Sequence, residues 1–292
     1  MKKYIVSDLH GNGNIYRSIM KYLENINKED ELILYINGDL IDRGQDSATM
    51  LLDTVKRIKN NEGFEIKYLG GNHELMMYKA LSKALNIIDL SIWFSNGGGV
   101  TNDALIDLID KEEKDKIVQF ISDLDIYYKF KEKIDDKRIV LVHAKCPNIV
   151  NDICDLKIKD NNKISKYVWT REDDLSLILN ETLGNKDYFT IIGHTPVMNK
   201  KGYYYEKDYD CLNIDGGCGA YAYGYKNYDH TPLVEIDEEN NRLIILTFNN
   251  NNEIIYGNYF QNKKSIEMSE DELQNYKKYI DKDVKIKKLE YM

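Results

Sequence analysis

Cysteine is scarce in this chain of 292 residues, and the four present form no framework. Cys146, Cys154, Cys211 and Cys218 make no CxxC pair, which excludes a disulfide-built secreted scaffold and suits a reducing compartment. No apolar run approaches the roughly 20 residues needed to cross a bilayer. The opening MKKYIVSDLHG enters a motif at once and leaves no apolar segment or cleavage site for export. A cytoplasmic location with no membrane association is the expectation. Positive charge is short as well, 40 Lys and Arg against 49 Asp and Glu, for a net charge of −9. That balance argues against a broad binder of nucleic-acid backbones, so no stable nucleic-acid partner is expected. An anionic substrate would need a local positive centre, which bound metal and one or two arginines would supply.

What is present suffices for a core: 42% hydrophobic residues with 30% charged ones, at a mean hydropathy of −0.54. The length suits one large domain or two. Abundant Asn, Lys, Ile and Tyr read as low-GC codon usage.

The histidines carry the information. Of five, four fall in one recurring context, an apolar run that ends abruptly in Gly, Asp, Asn or His. The instances of the pattern are YIVSDLHG (4–11), YINGDLIDRG (35–44), KYLGGNHE (67–74), IVLVHAK (139–145) and TIIGHTP (190–196). Strands that repeatedly deliver metal-type ligands at their tips describe a metal-ion active site.

Between these runs lie helix-period segments. Ile15, Ile19, Tyr22, Leu23 and Ile26 recur at helical spacing, as do Met50, Leu51, Val55 and Ile58. A third helix is expected from Leu75 to Ile88, rich in Leu, Met and Ala. Strand, loop and helix in repetition predict an α/β architecture, with ligands gathered at the carboxyl ends of the strands. Residues 86–137 lack a ligand-type motif and read as a helical insertion, and 156–166 as a polar loop. Strand patterns return at 234–236, 243–248 and 254–260, with a turn at 249–252. Ser269 and Glu272 form a capping box that starts a helix through Leu273, Tyr276 and Ile280.

Divalent ions of hard or borderline character take oxygen and imidazole ligands, and two-metal sites commonly share one carboxylate. Asp8 and His10 can both turn toward an ion from one loop. Asp39 ends the second strand, Asn72 and His73 follow two glycines that allow close backbone approach, and His143 and His194 each cap a strand. Singly, any of these reads as a turn or a hydrogen-bonded residue; five motifs in matching strand contexts do not read as chance.

Together SDLHG, GDLIDRG, GNHE, a strand-terminal His and GHTP resemble the motifs of calcineurin-like metallophosphoesterases of the phosphoprotein-phosphatase type. The resemblance runs from Ile5 to about Gly219. It is closest to the bacterial and phage branch of serine/threonine phosphatases and symmetrical diadenosine tetraphosphatases. The stretch Trp93 to Gly98, with Thr101 beyond, and Trp169-Thr170-Arg171 resemble further elements of that branch.

This resemblance implies a four-layer sandwich of two β-sheets flanked by helices. It implies two divalent ions, Mn²⁺ first, with Fe, Zn or Ni as alternatives. Asp8, His10 and Asp39 would hold one ion; Asp39, Asn72, His143 and His194 the other, with Asp39 bridging. A water activated between the ions would attack in line. His73 would be the general acid, oriented by Asp42, and Arg43 and Arg171 would clamp the phosphoryl oxygens.

Departures are visible. The family's His-Ala-Gly is here His143-Ala144-Lys145, and Lys145 could clash, pair with an acid or extend the anion site. Gly216 replaces the usual Thr after Asp215, which reads as a structural carboxylate bonding near His194. Cys218 reads as a small buried residue, and His230 as a loop residue without chemistry. Tyr203, Tyr204, Tyr205 and Tyr209, then Tyr221, Tyr223, Tyr225 and Tyr228, admit two readings: an aromatic rim or, preferred, codon bias in two loops.

The expectation is therefore a catalytic domain over 1–248, with a strand and helix extension over 249–292 packed on it. Its expected function is hydrolysis of phosphomonoesters, foremost as a serine/threonine protein phosphatase acting on phosphorylated protein. The alternatives are a symmetrical bis(5′-nucleosyl)-tetraphosphatase acting on a dinucleotide, and an inactive metal-binding interaction protein. RNA end-healing would call for kinase or ligase domains that this length has no space for.

Overall fold

Alternation along the first strands sets the layering. In β1 (Lys2–Val6) and β2 (Leu32–Asn37), Tyr4, Val6, Leu34 and Ile36 point to one hydrophobic cluster while Ile5, Ile33 and Tyr35 point to another. Successive strand side chains face opposite ways, so a strand apolar on both faces must be covered on both. The computed structural model describes residues 1–82, 86–171, 183–197, 199–225 and 230–280. In it, β1, β2 and β3 (Glu65–Leu69) pair in parallel. Helix α1 (Gly13–Ile26) follows β1, α2 (Ser47–Asn60) follows β2, and α3 (Asn72–Leu81) follows β3.

The same sheet continues antiparallel from β1 through β9 (His230–Asp237), β10 (Arg242–Asn249), β11 (Ile254–Gln261) and β12 (Lys264–Glu267). A second, five-stranded sheet has the order β4-β5-β6-β8-β7, from β4 (Tyr127–Ile134), β5 (Lys137–Val142), β6 (Tyr188–Ile192), β8 (Cys211–Asn213) and β7 (Tyr204–Glu206). Strands β5, β6 and β8 are parallel. Ile5, Tyr35, Val234 and Ile245 of the first sheet meet Phe130, Ile139, Leu141, Ile191 and Leu212 of the second in one buried cluster. Helices α1, α2 and α3 bury Ile15, Ile19, Leu23, Leu51, Val55, Leu75 and Met76 against the other face of the first sheet. The fold is α/β, two mixed sheets face to face with helices on the flanks.

Several local expectations need correction. The helix expected over 75–88 ends at Leu81 with an extended Ser82, and a new one, α4 (Ile87–Ser95), starts where the Asn86 side chain accepts from Ile88 N–H. The insertion expected over 86–137 is helical only through α4, α5 (Gly98–Leu108) and α6 (Lys111–Ser122). Beyond it, β4 buries Tyr127, Phe130 and Ile134 and pairs antiparallel with β5; a register shift between Lys129 and Lys133 and the buried Glu132 break its apolar alternation in sequence. The loop expected over 156–166 holds a 3-10 turn, Ile158–Asp160, and helix α7 (Asn161–Trp169). Only Ile164 and Val168 of that helix are buried, too thin a stripe to read as helical. His230 opens β9 and is buried, bonded through Nε2 to Asn199 O, so it is no loop residue. At the end, the Ser269–Glu272 capping box starts α8 (Glu270–Lys277). Strands β10 and β11 form an antiparallel hairpin, with a register shift between Thr247 and Phe248. The expected continuation of the terminal region beyond Ile280, and Tyr228, lie outside the described residues.

Candidate metal centre

Six parallel strand ends from the two sheets converge. Asp8 and His10 follow β1, Asp39 follows β2, and Asn72 and His73 follow β3. From the second sheet, His143 follows β5, His194 follows β6 and Asp215 follows β8. All eight side chains are buried. Turning the chain inward this sharply requires unusual backbone: φ is 55° at Asp8, 44° at His10, 51° at Asp39, 73° at Asp42, 70° at Arg43 and 69° at His194. Such conformations cost on the order of 1–3 kcal/mol each outside glycine and cluster at functional sites. Gly71 permits the close approach expected beside Asn72, because a Cβ there would lie 2.3 Å from Asp39 Oδ1.

Asp39 is the hub. Its Oδ2 lies 3.4 Å from His10 Nε2 and 3.8 Å from His73 Nε2, and its Oδ1 lies 3.3 Å from His143 Nε2. Asn72 Oδ1 faces His143 Nε2 at 3.1 Å and His194 Nδ1 at 2.9 Å. Two groups could each hold an ion, His10 with Asp39 and His73, and Asp39 with His143 and His194; within each, the donor atoms lie within 4.8 Å of one another. Asp8 stands beside them, accepting from Ser7 Oγ and from His194 N–H at 3.0 and 3.1 Å. The Nδ1 of His10 meets Ile41 O at 3.1 Å and that of His143 meets Asn37 O at 2.8 Å. Carbonyl partners of this kind fix a ring and leave its other nitrogen for a ligand role.

The electrostatics call for a cation. Burial, then the Asp215 charge, pushes the Asp8 carboxyl well above its ordinary value. Burial raises Asp215 itself to about 6. Burial works against charge on Asp39 too, but His143, His73 and His10 outweigh it and hold its carboxyl well below the usual range. For His143 burial lowers the pKa, yet Asp39 and Asp8 raise it to about 10. Burial and neighbouring His143 take His194 down to about 3, and burial with Arg43 lowers His10. A positive charge at this point, whether a proton on His143 or a divalent ion, answers the same carboxylates. Imidazoles, carboxylates and an amide oxygen are a donor set that suits borderline divalent ions.

Beside the hub, His73 Nδ1 meets Asp42 Oδ2 at 2.7 Å. Asp42 also accepts from Trp93 Nε1 at 2.8 Å and from Thr101 Oγ1 at 2.6 Å. Arg43 places Nη1 3.1 Å from His10 Nε2 and Nη2 3.1 Å from His73 Nε2. Arg171 sits at the rim, its Nε donating to His194 Nε2 at 3.3 Å. A cleft of about 290 Å³ runs from His10 and Arg43 past Asn12 and Tyr221 to Asn250.

Some expectations change here. Asp215 hydrogen-bonds within its own turn, accepting from Gly217 N–H at 2.9 Å. Lys145 is buried, with its backbone N–H donating to Tyr167 O. Cys218 is buried against Thr231, and burial pushes its thiol up to about 12. Tyr221 lines the cleft and Tyr223 lies under Arg43, its ring centroid 5.7 Å from the guanidinium carbon, whereas Tyr203 is buried against Ser265. Glu74 went unassigned from sequence. Fully buried, it accepts from Asp39 N–H, Leu40 N–H, Gly71 N–H and Tyr68 Oη at 2.8, 3.1, 2.8 and 2.7 Å, tying the second and third motifs together. Its only signal was its place as the last letter of GNHE.

The fold and this cluster of strand-tip residues that could hold metal fit a metallophosphoesterase class of protein. The chain belongs to the calcineurin-like phosphoesterase family, whose profile matches residues 1–224. No curated protein matches it. Similar solved structures include a cold-active protein-tyrosine phosphatase from a psychrophilic Shewanella species, at 18% identity and TM-score 0.49 over 89% of this chain and 80% of that one. A protein serine/threonine phosphatase from Saccharomyces cerevisiae has 14% identity and TM-score 0.49 over 85% and 80%. A candidate diadenosine tetraphosphatase has 14% identity and TM-score 0.47 over 84% and 93%. Family membership rests on the profile match. Among the described residues, no helix is long and apolar enough to cross a membrane.

Proposed function

We propose that this chain hydrolyses phosphomonoesters as a dimetal phosphatase, with phosphoserine and phosphothreonine of proteins as its first substrate class. The observation that carries the reading is the buried Asp39 carboxylate shared by both ion-competent groups, next to the His73–Asp42 pair. Asp8, His10 and Asp39 would hold one ion, and Asp39, Asn72, His143 and His194 the other. Bound divalent ions lower the pKa of a nucleophilic water and polarise the phosphoryl oxygens. Mn²⁺ is the metal proposed.

Proximity alone groups His73, rather than Asp8, with His10 and Asp39. Ring partners favour the other assignment. His10 and His143 rest on backbone carbonyls, while His73 rests on the Asp42 carboxylate, the partner that orients an imidazole for proton transfer. His73 Nε2 would then give its proton to the leaving alkoxide. Arg43 and Arg171 would hold the phosphoryl oxygens through charge-assisted hydrogen bonds.

One observation favours a second substrate, the symmetrical dinucleoside tetraphosphates. The cleft from His10 and Arg43 to Tyr221 and Asn250 has room for a leaving group larger than a side chain. A panel of phosphoserine and phosphothreonine peptides and diadenosine tetraphosphate, assayed with Mn²⁺, separates the two. Release of phosphate from the peptides is expected. ADP as sole product from diadenosine tetraphosphate, without peptide turnover, would transfer the assignment. Absence of any Mn²⁺-stimulated, chelator-sensitive turnover, p-nitrophenyl phosphate included, would leave a metal-binding interaction protein.

A further inference from the structure

Asp42 and Arg43 are consecutive residues in left-handed backbone, and the contacts that hold them come from the helical insertion. Asp42 N–H donates to Thr101 Oγ1 at 3.1 Å, and Arg43 N–H donates to Gly97 O at 3.1 Å. The same Thr101 hydroxyl donates to Asp42 Oδ1, and Trp93 Nε1 donates to Oδ2, the oxygen that faces His73. Trp93, Thr101, Asp42 and His73 are all sealed from solvent. Helix α4 is otherwise turned outward: Trp93 is its single buried residue, while Ile87, Ile88, Ile92 and Phe94 are exposed. The glycines between Trp93 and Thr101 fit that docking. A Cβ on Gly98 would lie 2.3 Å from Trp93 Nε1, and one on Gly97 2.8 Å from Arg43 Cγ.

We propose that Trp93 and Thr101 are positioning residues for the reaction. They fix both oxygens of the Asp42 carboxylate, and through it the direction in which His73 Nε2 offers a proton. A carboxylate held only by His73 could rotate about its own χ2 and carry the imidazole with it. Two neutral donors, each fixed by a helix, remove that freedom before substrate arrives. The proposal rests on the reading of His73 as general acid.

The test compares p-nitrophenyl phosphate, whose leaving group departs without much help, with phenyl phosphate, whose leaving group needs a proton. Thr101→Val and Trp93→Phe keep shape and remove the donors. Each should lower kcat on phenyl phosphate about 10-fold or more beyond its effect on p-nitrophenyl phosphate. KM and the bound metal count, read by elemental analysis, should hold, and Thr101→Ser should restore the ratio. A parallel fall on both substrates, or no fall on either, overturns the proposal. Should Thr101→Val fail to fold by thermal melting, Trp93→Phe against Thr101→Ser carries the comparison. His73→Asn is the reference. A selective loss there without one in Trp93→Phe sinks the positioning role alone; no selective loss in His73→Asn sinks the general-acid reading and this proposal with it.

Discussion

His73 Nδ1 lies 2.7 Å from Asp42 Oδ2, and neither side chain has any exposure. The two residues come from different strand ends: Asp42 from the turn after β2, His73 from the first turn of α3. Burying such a pair is expensive unless every remaining hydrogen-bonding position is met. Here Trp93 and Thr101 meet those of Asp42, and Arg43 faces the outer nitrogen of His73. The proposed general acid at His73 would use such an arrangement, with Nδ1 held and Nε2 turned to the site.

His73→Asn is therefore expected to lower kcat about 10²- to 10⁴-fold, the usual range for one general acid or base. The variant should still bind the full complement of metal, because Asn72, His143, His194, Asp39, His10 and Asp8 are untouched. Steady-state kinetics with elemental analysis reads both quantities. Loss of one equivalent of metal in the variant would move His73 into the ligand set, where proximity to His10 and Asp39 already groups it.

Metal should stabilise the fold as well as activate it. Burial lifts the carboxyls of Asp8 and Asp215 above their ordinary range, and the Asp215 charge lifts Asp8 further. A ligand that binds only the folded state adds RT ln(1 + [L]/Kd), about 2.7 kcal/mol at a hundred times Kd. Chelated protein should melt at lower temperature, and Mn²⁺ titration should raise the midpoint in a concentration-dependent way. Asp39→Asn should abolish most of that rise, since one carboxylate serves both groups. An undiminished rise in this variant would remove Asp39 from the hub.

How much of this was legible in sequence follows from the range of each interaction. A strand tip is local: the apolar run and the Gly, Asp or His that ends it lie within a few residues, so Asp8, His10, Asp39, Asn72, His143 and His194 stand out as a recurring pattern although none is telling alone. Their convergence needed two sheets, and resemblance supplied it. Glu74 is different, because its bonds to Asp39 and Leu40 span 35 and 34 residues and nothing local marks them. Strand β4 was hidden by a register shift and by the buried Glu132 on its apolar face, and α7 by having two inward residues. In both cases tertiary packing decided what local pattern left open.

Glu74 leads to a stability prediction. One of its oxygens serves Asp39 N–H and Gly71 N–H, the other Leu40 N–H and the Tyr68 hydroxyl. Glu74→Ala leaves those buried donors unpaired, and each such loss costs about 1–3 kcal/mol. With four such donors a loss of about 4 kcal/mol or more is expected in chemical denaturation, at the high end for single substitutions. Glu74→Gln should also destabilise, because its amide nitrogen must turn toward a pair of donors. A neutral Glu74→Ala would show that the two motif loops keep their geometry without it.

A last prediction lies away from the site, where two lysines and a tyrosine converge on Asp210. Lys137 Nζ lies 2.7 Å from Oδ2, Lys263 Nζ 2.7 Å from Oδ1, and Tyr205 Oη donates to Oδ1 at 2.5 Å. Lys137 belongs to the second sheet and Lys263 to the turn between β11 and β12 of the first, so the carboxylate ties the two sheets together. Burial opposes its charge, but these bonds outweigh burial and bring it down to about 2, from an ordinary 3.8. A depressed carboxyl contributes stability that is fully present above its unfolded value and fades as pH falls through its folded one. Asp210→Asn should thus lower the urea midpoint at pH 7, and the gap from the parent protein should narrow as pH drops from about 4 toward 2. A gap that stays constant down to pH 3 would mean that Asp210 acts through its shape and neutral hydrogen bonds, and that the lysine charges add nothing.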